Sequence, residues 1–117
     1  NIKFLSEIKN KKFYDIIIFN TSFQYLPKPF QIFKNLQNKT NIFIFTNMII
    51  SDRKTNYIKI ENPDPKVYKY TYPAWFFSKK YLLDVLFKKW KVKMDKIKNP
   101  PYKLKNKEHY YNILLEK

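Results

Sequence analysis

The chain has 117 residues and carries a formal net charge of +15, with 44% hydrophobic and 20% aromatic residues. This apolar content excludes an intrinsically disordered chain and is sufficient for one compact domain with its own core. The absence of cysteine excludes disulfides, thiolate nucleophiles and Cys-ligated metals, and it favours a reducing cytoplasm as the location. No apolar run approaches the roughly 20 residues that a membrane-spanning helix requires.

The positive charge does not predict a specific nucleic-acid partner. Nearly all of it is lysine spread along the chain, and Arg53 is the single arginine. Guanidinium groups are the usual means of bidentate contact with phosphate and guanine, so their near absence weakens that interpretation. We attribute the lysine content, together with the abundant asparagine, isoleucine and phenylalanine, to codon usage in an AT-rich gene.

The first half of the chain predicts a strand, helix, strand unit. A short apolar segment over residues 1–5 predicts an initial strand, and the β-branched and aromatic run at 16–19 predicts a strand buried on both faces. Two prolines precede a predicted helix over residues 30–36, whose apolar positions recur every three residues. Residues 41–50 return to a strand-like run. This order is that of a βαβ unit.

The second half predicts a long loop and a closing pair of strands. Residues 51–70 are predicted to be a loop, and loops of this length are usually functional. Ser78 is a good N-cap for a helix that ends near Trp90. Residues 92–97 and 110–115 predict the last two strands, on either side of a polar loop. The whole order predicts an α/β fold.

Three sequence strings resemble a known family. Residues 14–29, YDIIIFNTSFQYLPKP, resemble the fourth strand and following turn of class I S-adenosylmethionine-dependent methyltransferases. Residues 72–78, YPAWFFS, together with the upstream QYL and FIF strings, resemble one such family of bacterial origin. The resemblance implies that residues 1–117 are the C-terminal part of a single methyltransferase domain. Its expected fold is a partial Rossmann-like sheet, with strands three to seven present and strands one and two absent.

The resemblance also implies which strand is which. Strands three, four, five, six and seven correspond to residues 1–5, 15–19, 42–47, 92–97 and 110–115. In that topology strand four pairs with strand one, so one central edge is expected to be bare. The chain begins at Asn1 and contains no glycine, so we expect it to lack the glycine-rich turn that holds the cofactor. It should bind S-adenosylmethionine only with a missing N-terminal half, and be inactive alone.

The polar residues after strand four are the candidate cofactor-binding positions. In an open α/β sheet the ligand lies beyond the carboxyl ends of the strands at the topological switch point, which this family places beside strand four. The predicted cofactor contacts are Asn20, Thr21 and Ser22. The candidates for the pocket of the methyl acceptor are Gln24, Tyr25, Asn47, Arg53, Tyr72 and Trp75. Strand-end hydrogen bonding and core packing are the alternative roles of these side chains.

No catalytic residue and no metal site is predicted. Methyl transfer is a direct displacement that mainly requires alignment of donor and acceptor, so no fixed triad is expected. His109 is the single histidine and has no cysteine or second histidine to share a metal. Two other functions remain open: a basic module that stacks bases on aromatic side chains, and a non-catalytic partner that completes the sheet of another chain.

Overall fold

The computed structural model describes residues 12–62, 64–67, 69–98 and 107–117. These residues form an open sheet of six strands with helices packed on one face. The strands are β1 (Ile17–Asn20), β2 (Ile42–Ser51), β3 (Tyr57–Glu61), β4 (Tyr72–Ser78), β5 (Lys91–Lys98) and β6 (Glu108–Glu116). The helical segments are a 3₁₀ turn (Phe23–Tyr25), α1 (Pro29–Leu36) and α2 (Lys79–Tyr81), which continues as a π-helical turn (Leu82–Leu86). No described helix has the length and apolarity needed to cross a membrane.

The long strand β2 organises the sheet. The strand order is β3, β4, β2, β6, β5, and β1 also pairs with β2, on the side where β4 lies. β1 runs parallel to the first half of β2, from Ile17 opposite Phe43 to Asn20 opposite Thr46. β4 runs parallel to the end of β2, and β3 is antiparallel to β4. β6 is antiparallel to both β2 and β5, so β1, β2 and β5 all point the same way.

Aromatic side chains fill the face of the sheet that the helices cover. The apolar residues of α1 recur every three positions, so they form one stripe that faces the sheet. Phe33 of α1 packs with its ring centroid 4.9 Å from that of Phe43 and 5.2 Å from that of Phe87. Phe45 of β2 and Leu115 of β6 are fully buried beside them. Each such side chain contributes about 1.5–3 kcal/mol through burial.

The opposite face of the sheet exposes a row of apolar side chains, which we call the open face. Ile18, Ile44, Leu114 and Met94 are neighbours in register across β1, β2, β6 and β5. Ile18 is 58% exposed and Met94 is 71% exposed, while the two central residues are half-buried. Within the described part of the chain, β1 pairs with β2 and no strand lies along its other edge.

Most predicted elements of regular structure are confirmed. β1, α1, β2, β5 and β6 lie where the sequence predicts them, and the Ser78 hydroxyl caps α2 by accepting the Tyr81 N–H at 3.2 Å. The predicted strand over residues 1–5 lies outside the described residues, as does nearly all of the predicted loop at 99–107.

Two predictions in the middle of the chain are wrong. The predicted loop at 51–70 contains β3, and the YPAWFFS string, to which no element was assigned, forms β4. Charged residues alternate with isoleucine in β3, so it lacks the apolar run of a buried strand, and β4 carries a proline, which is unusual inside a strand. The helix from Ser78 is also shorter than predicted. It ends in a π turn, closed by a bond of 2.7 Å from the Phe87 N–H to the Leu82 carbonyl.

Candidate functional site

Polar side chains meet where β1 ends beside the bulge in the middle of β2. The Thr46 hydroxyl donates to Asn20 Oδ1 at 2.6 Å, and the Asn47 amide Nδ2 donates to Thr21 Oγ1 at 3.0 Å. A longer contact of 3.4 Å joins the Thr21 hydroxyl to the same Asn20 oxygen. The backbone continues the pairing, because the Thr21 N–H donates to the Thr46 carbonyl at 3.0 Å. We call Asn20, Thr21, Thr46 and Asn47 the strand-end cluster.

The backbone of the strand-end cluster is strained at two positions. Thr21 and Asn47 both have φ of 50°, in the left-handed region that favours glycine. A β-branched threonine is a marked outlier there, whereas asparagine tolerates this conformation better. Such a residue costs on the order of 1–3 kcal/mol and persists only when its surroundings hold it in place. Two of them side by side, one just after the carboxyl end of β1 and one in the bulge of β2, make this edge the best candidate site.

Gln24 stabilises the strand-end cluster through a hydrogen bond to Asn47. Its side chain is fully buried, and its Nε2 donates to the Asn47 carbonyl at 3.0 Å. Because that partner is an acceptor, the orientation of the Gln24 amide is fixed, and its Oε1 has no partner among the described residues. Ser22 has a simpler role: its carbonyl accepts the Tyr25 N–H at 3.0 Å in the 3₁₀ turn, and its side chain forms no cap.

Two residues of this edge are absent from the sequence-based predictions. Thr46 contributes the short bond to Asn20, and Asn112 of β6 accepts the Asn47 N–H through Oδ1 at 2.8 Å. The pairing of β2 with β6 shifts between Phe45 and Met48, so Thr46 and Asn47 together lie opposite Asn112. An asparagine inside the apolar strand YYNILL is the signal that identifies it, because a half-buried amide in a strand requires partners.

Comparisons with known proteins bear on the fold. No family model matches the chain, and no curated protein matches it. Among solved structures it is similar to the N-terminal domain of EvdMO1, in crystals with SAH and D-fucose (TM-score 0.60) and in crystals with SAH bound (TM-score 0.58). The identity is 9% in both cases, and the match covers 91% of this chain but 48% and 47% of those chains. The chain shares the fold of that SAH-bound domain. It spans about half of the length of those chains.

The predicted aromatic residues of the acceptor pocket divide into two groups. Tyr25 and Tyr72 contact each other edge to face, with 5.3 Å between ring centroids, and Tyr25 follows the strand-end cluster in the 3₁₀ turn. Trp75 instead stacks on Phe77 and meets Phe30 of α1 at 5.5 Å, so it packs against the core. The structure therefore brings the tyrosine pair, and not the tryptophan, to the polar turn that follows β1.

Arg53 lies in the turn between β2 and β3, beside a second polar group on β3 and β6. Its guanidinium lies 4.3 Å from the ring centroid of Tyr57. The Tyr57 hydroxyl donates to Glu108 at 2.9 Å, and Lys59 Nζ donates to the same carboxylate at 2.7 Å. Burial first, and then the bond to Glu108, raise the pKa of the Tyr57 hydroxyl above its usual value. These contacts join the β3–β4 hairpin to β6.

Proposed function

We propose that the chain is the C-terminal part of an S-adenosylmethionine-dependent methyltransferase domain. The observation that carries this proposal is its likeness in fold, over 91% of its length, to a domain crystallised with SAH. SAH, S-adenosylhomocysteine, is what remains of S-adenosylmethionine once the methyl group has been transferred. A fold that holds SAH supports this chemistry for the present chain, although fold alone does not establish activity.

The strand order supports the proposal in more detail. From the edge at β1, the strands follow the order β1, β2, β6, β5, and β6 alone among them is antiparallel. Under the strand correspondence that the resemblance implies, these are strands four, five, seven and six. The β3–β4 hairpin is an addition between strand five and the following helix. We propose that it forms the acceptor side of the site, together with Tyr25 and Tyr72.

The open face and the edge of β1 support the existence of a missing half. Ile16 and Ile18 are 46% and 58% exposed, and no charged residue interrupts β1. An uncharged strand edge beside exposed isoleucines is a template for pairing with another strand. We propose that a glycine-rich N-terminal half pairs with β1, covers the open face and holds most of the cofactor. The present chain alone is then inactive.

The strand-end cluster has the donor set that one wall of this site requires. Asn20 Oδ1 accepts the two threonine hydroxyls, so its Nδ2 remains to donate, while Asn47 uses its Nδ2 on Thr21 and keeps its Oδ1 to accept. A donor next to an acceptor suits the carboxylate and ammonium of the methionine part. When bound, the cofactor supplies an electrophilic methyl group on a sulfonium. The cluster contains amides and hydroxyls only, so these residues orient the reactants and take no proton.

Calorimetry tests the proposal. The full-length polypeptide that contains this chain should release heat on titration with SAH, and the 117-residue chain alone should bind at least about 100-fold more weakly, a difference near 2.7 kcal/mol. Asn20→Ala should weaken binding about tenfold, and Asn35→Ala, an exposed asparagine of α1, should leave it unchanged. A folded full-length protein that binds neither SAH nor S-adenosylmethionine contradicts the proposal and favours the non-catalytic partner.

The upstream coding sequence provides an independent check. We expect a strand, then a glycine-rich turn at the start of a helix, and then an acidic residue at the end of the next strand. An upstream region without these features contradicts the enzyme hypothesis. For the nucleic-acid alternative, binding that persists between 50 and 200 mM salt would contradict the attribution of the charge to codon usage, because about 10³-fold of purely electrostatic affinity is lost over that range.

A further inference from the structure

Asn47 is held in place by hydrogen bonds from three separate elements. Its N–H donates to Asn112 Oδ1 at 2.8 Å, its carbonyl accepts Gln24 Nε2 at 3.0 Å, and its side chain donates to Thr21 Oγ1 at 3.0 Å. The three partners belong to β6, to the 3₁₀ turn and to the end of β1.

The bond to Asn112 replaces a missing bond of the sheet. The β2–β6 ladder shifts register between Phe45 and Met48, so two residues of β2 oppose one residue of β6. Such a bulge leaves the N–H of one residue without a partner in the ladder. It also changes the direction of that residue's side chain. A half-buried N–H without an acceptor is costly, so the Asn112 side chain stabilises this particular bulge. Without the bond to Asn112, the φ of 50° at Asn47 is less strongly stabilised.

We propose that Asn112 is a positioning residue for the ligand site at the end of β1 and the bulge of β2. By accepting the Asn47 N–H, it holds Asn47 in the left-handed conformation that directs Nδ2 to Thr21 and Oδ1 away from it. If Asn47 relaxed to an extended conformation, its side chain would move toward the other face of the sheet, because side chains alternate along a strand. This role rests on the proposed function, since the ligand it serves is the SAH-type cofactor.

Three substitutions in the full-length protein separate this role from general stability. Asn112→Leu keeps a similar volume and removes the acceptor, Asn112→Asp keeps an acceptor oxygen, and Asn35→Leu is a matched control on the exposed face of α1. Asn112→Ser, whose hydroxyl falls short of the Asn47 N–H, gives the same comparison where the leucine variant does not fold. The measurements are the exchange rate of the Asn47 amide proton, the Kd for SAH and the midpoint of thermal unfolding.

We expect Asn112→Leu to speed the exchange of the Asn47 amide proton and to raise the Kd for SAH by about tenfold, equivalent to 1.4 kcal/mol. Asn112→Asp should restore both quantities to within about threefold of the parent, or about 0.7 kcal/mol. Asn35→Leu should change neither. An Asn112→Leu protein that binds SAH as tightly as the parent, despite faster exchange, overturns the positioning role alone. A folded parent that binds no SAH overturns the proposed function and this role with it.

Discussion

The two faces of the sheet differ in what covers them. On one face, α1 and the segment after β4 bury Phe43, Phe45 and Leu115 completely. On the other, Ile18 and Met94 of the open face remain more than half exposed. Both faces are apolar, so the sequence of the sheet is that of a layer covered on both sides. Among the described residues, helices therefore cover one of two apolar faces.

The edges of the sheet at β5 and at β1 show the same contrast. β5 carries Lys91, Lys93, Lys96 and Lys98, all of them exposed. Lysines along an edge strand prevent pairing with other chains, so β5 is built as a final edge. β1 has no such protection in the sequence IIFN. Charge therefore marks one edge as closed and the other as a position for a further strand.

The largest expected effect comes from the covered face. Phe45→Ala should lower the free energy of unfolding by about 3–5 kcal/mol, because it removes a fully buried ring and leaves a cavity. In the 117-residue chain, Ile18→Ala should change the free energy of unfolding by less than about 1 kcal/mol, since that side chain is mainly in solvent. Urea unfolding compares the two variants. Equal losses would show that the faces do not differ.

A charge on the open face tests whether a second layer covers it. In the full-length protein, Ile18→Lys should cost about 2–4 kcal/mol, because it places an ammonium in an apolar interface. In the isolated chain the same change should be nearly neutral and should reduce association in sedimentation velocity, as a charged edge does. Lys93→Ala on β5 also changes the net charge of the chain by one unit, so it is the control for an effect of net charge alone. Neutral behaviour of Ile18→Lys in both proteins would remove the argument for a missing layer.

The buried carboxylate that joins the hairpin to β6 should have a smaller effect. Glu108→Gln weakens its bonds to Tyr57 and Lys59, and we expect a loss of about 1–3 kcal/mol. The lower half of that range applies, because the Lys59 side chain keeps 35% of its surface in solvent. The pKa of Tyr57, followed by NMR, should fall toward its usual value without reaching it, since burial remains the larger cause. An unchanged Tyr57 pKa would contradict this assignment.

The smallest expected effect is on the dependence of stability on pH. Burial, and then the bond of 2.7 Å to Asp95, raise the pKa of the Tyr111 hydroxyl in the folded chain. A folded-state pKa above the unfolded value means that this stabilisation is complete below about pH 10 and is lost as the pH rises further. Tyr111→Phe should cost about 1 kcal/mol at pH 7 and flatten the decline above pH 10. Chemical unfolding at pH 7, 9 and 11 measures both.

The sequence predicts the parts of the fold that rest on local apolar patterns. β1 and β2 are continuous β-branched and aromatic runs, and α1 has a clear stripe, so all three were predictable. β3 was not predicted, because its isoleucines are exposed and its polar side faces Glu108, the reverse of the usual pattern of an alternating strand. A partner 49 residues away leaves no local signal.

The sequence predicts the residues of the candidate site that lie in β1 and the following turn. It does not predict the hydrogen bonds that connect them to β2 and β6. The switch-point rule places a site beside Asn20 and Thr21, which the structure joins to Asn47 through hydrogen bonds. The bond from Asn47 to Asn112 spans 65 residues and depends on a bulge, which no spacing in the sequence encodes. The ligand roles of these residues remain predictions for the experiments above.

Among the described residues no strand lies along the outer edge of β1, and this has a consequence for the chain in solution. A net charge of +15 makes copies of the chain repel one another, and this repulsion acts over about 10 Å at 0.1 M salt but only about 3 Å at 1 M. The contacts that the edge invites, backbone pairing and isoleucine packing, are not weakened by salt in this way. Ionic strength therefore determines how long the bare edge stays unpaired, and high salt should favour self-association of the separated chain.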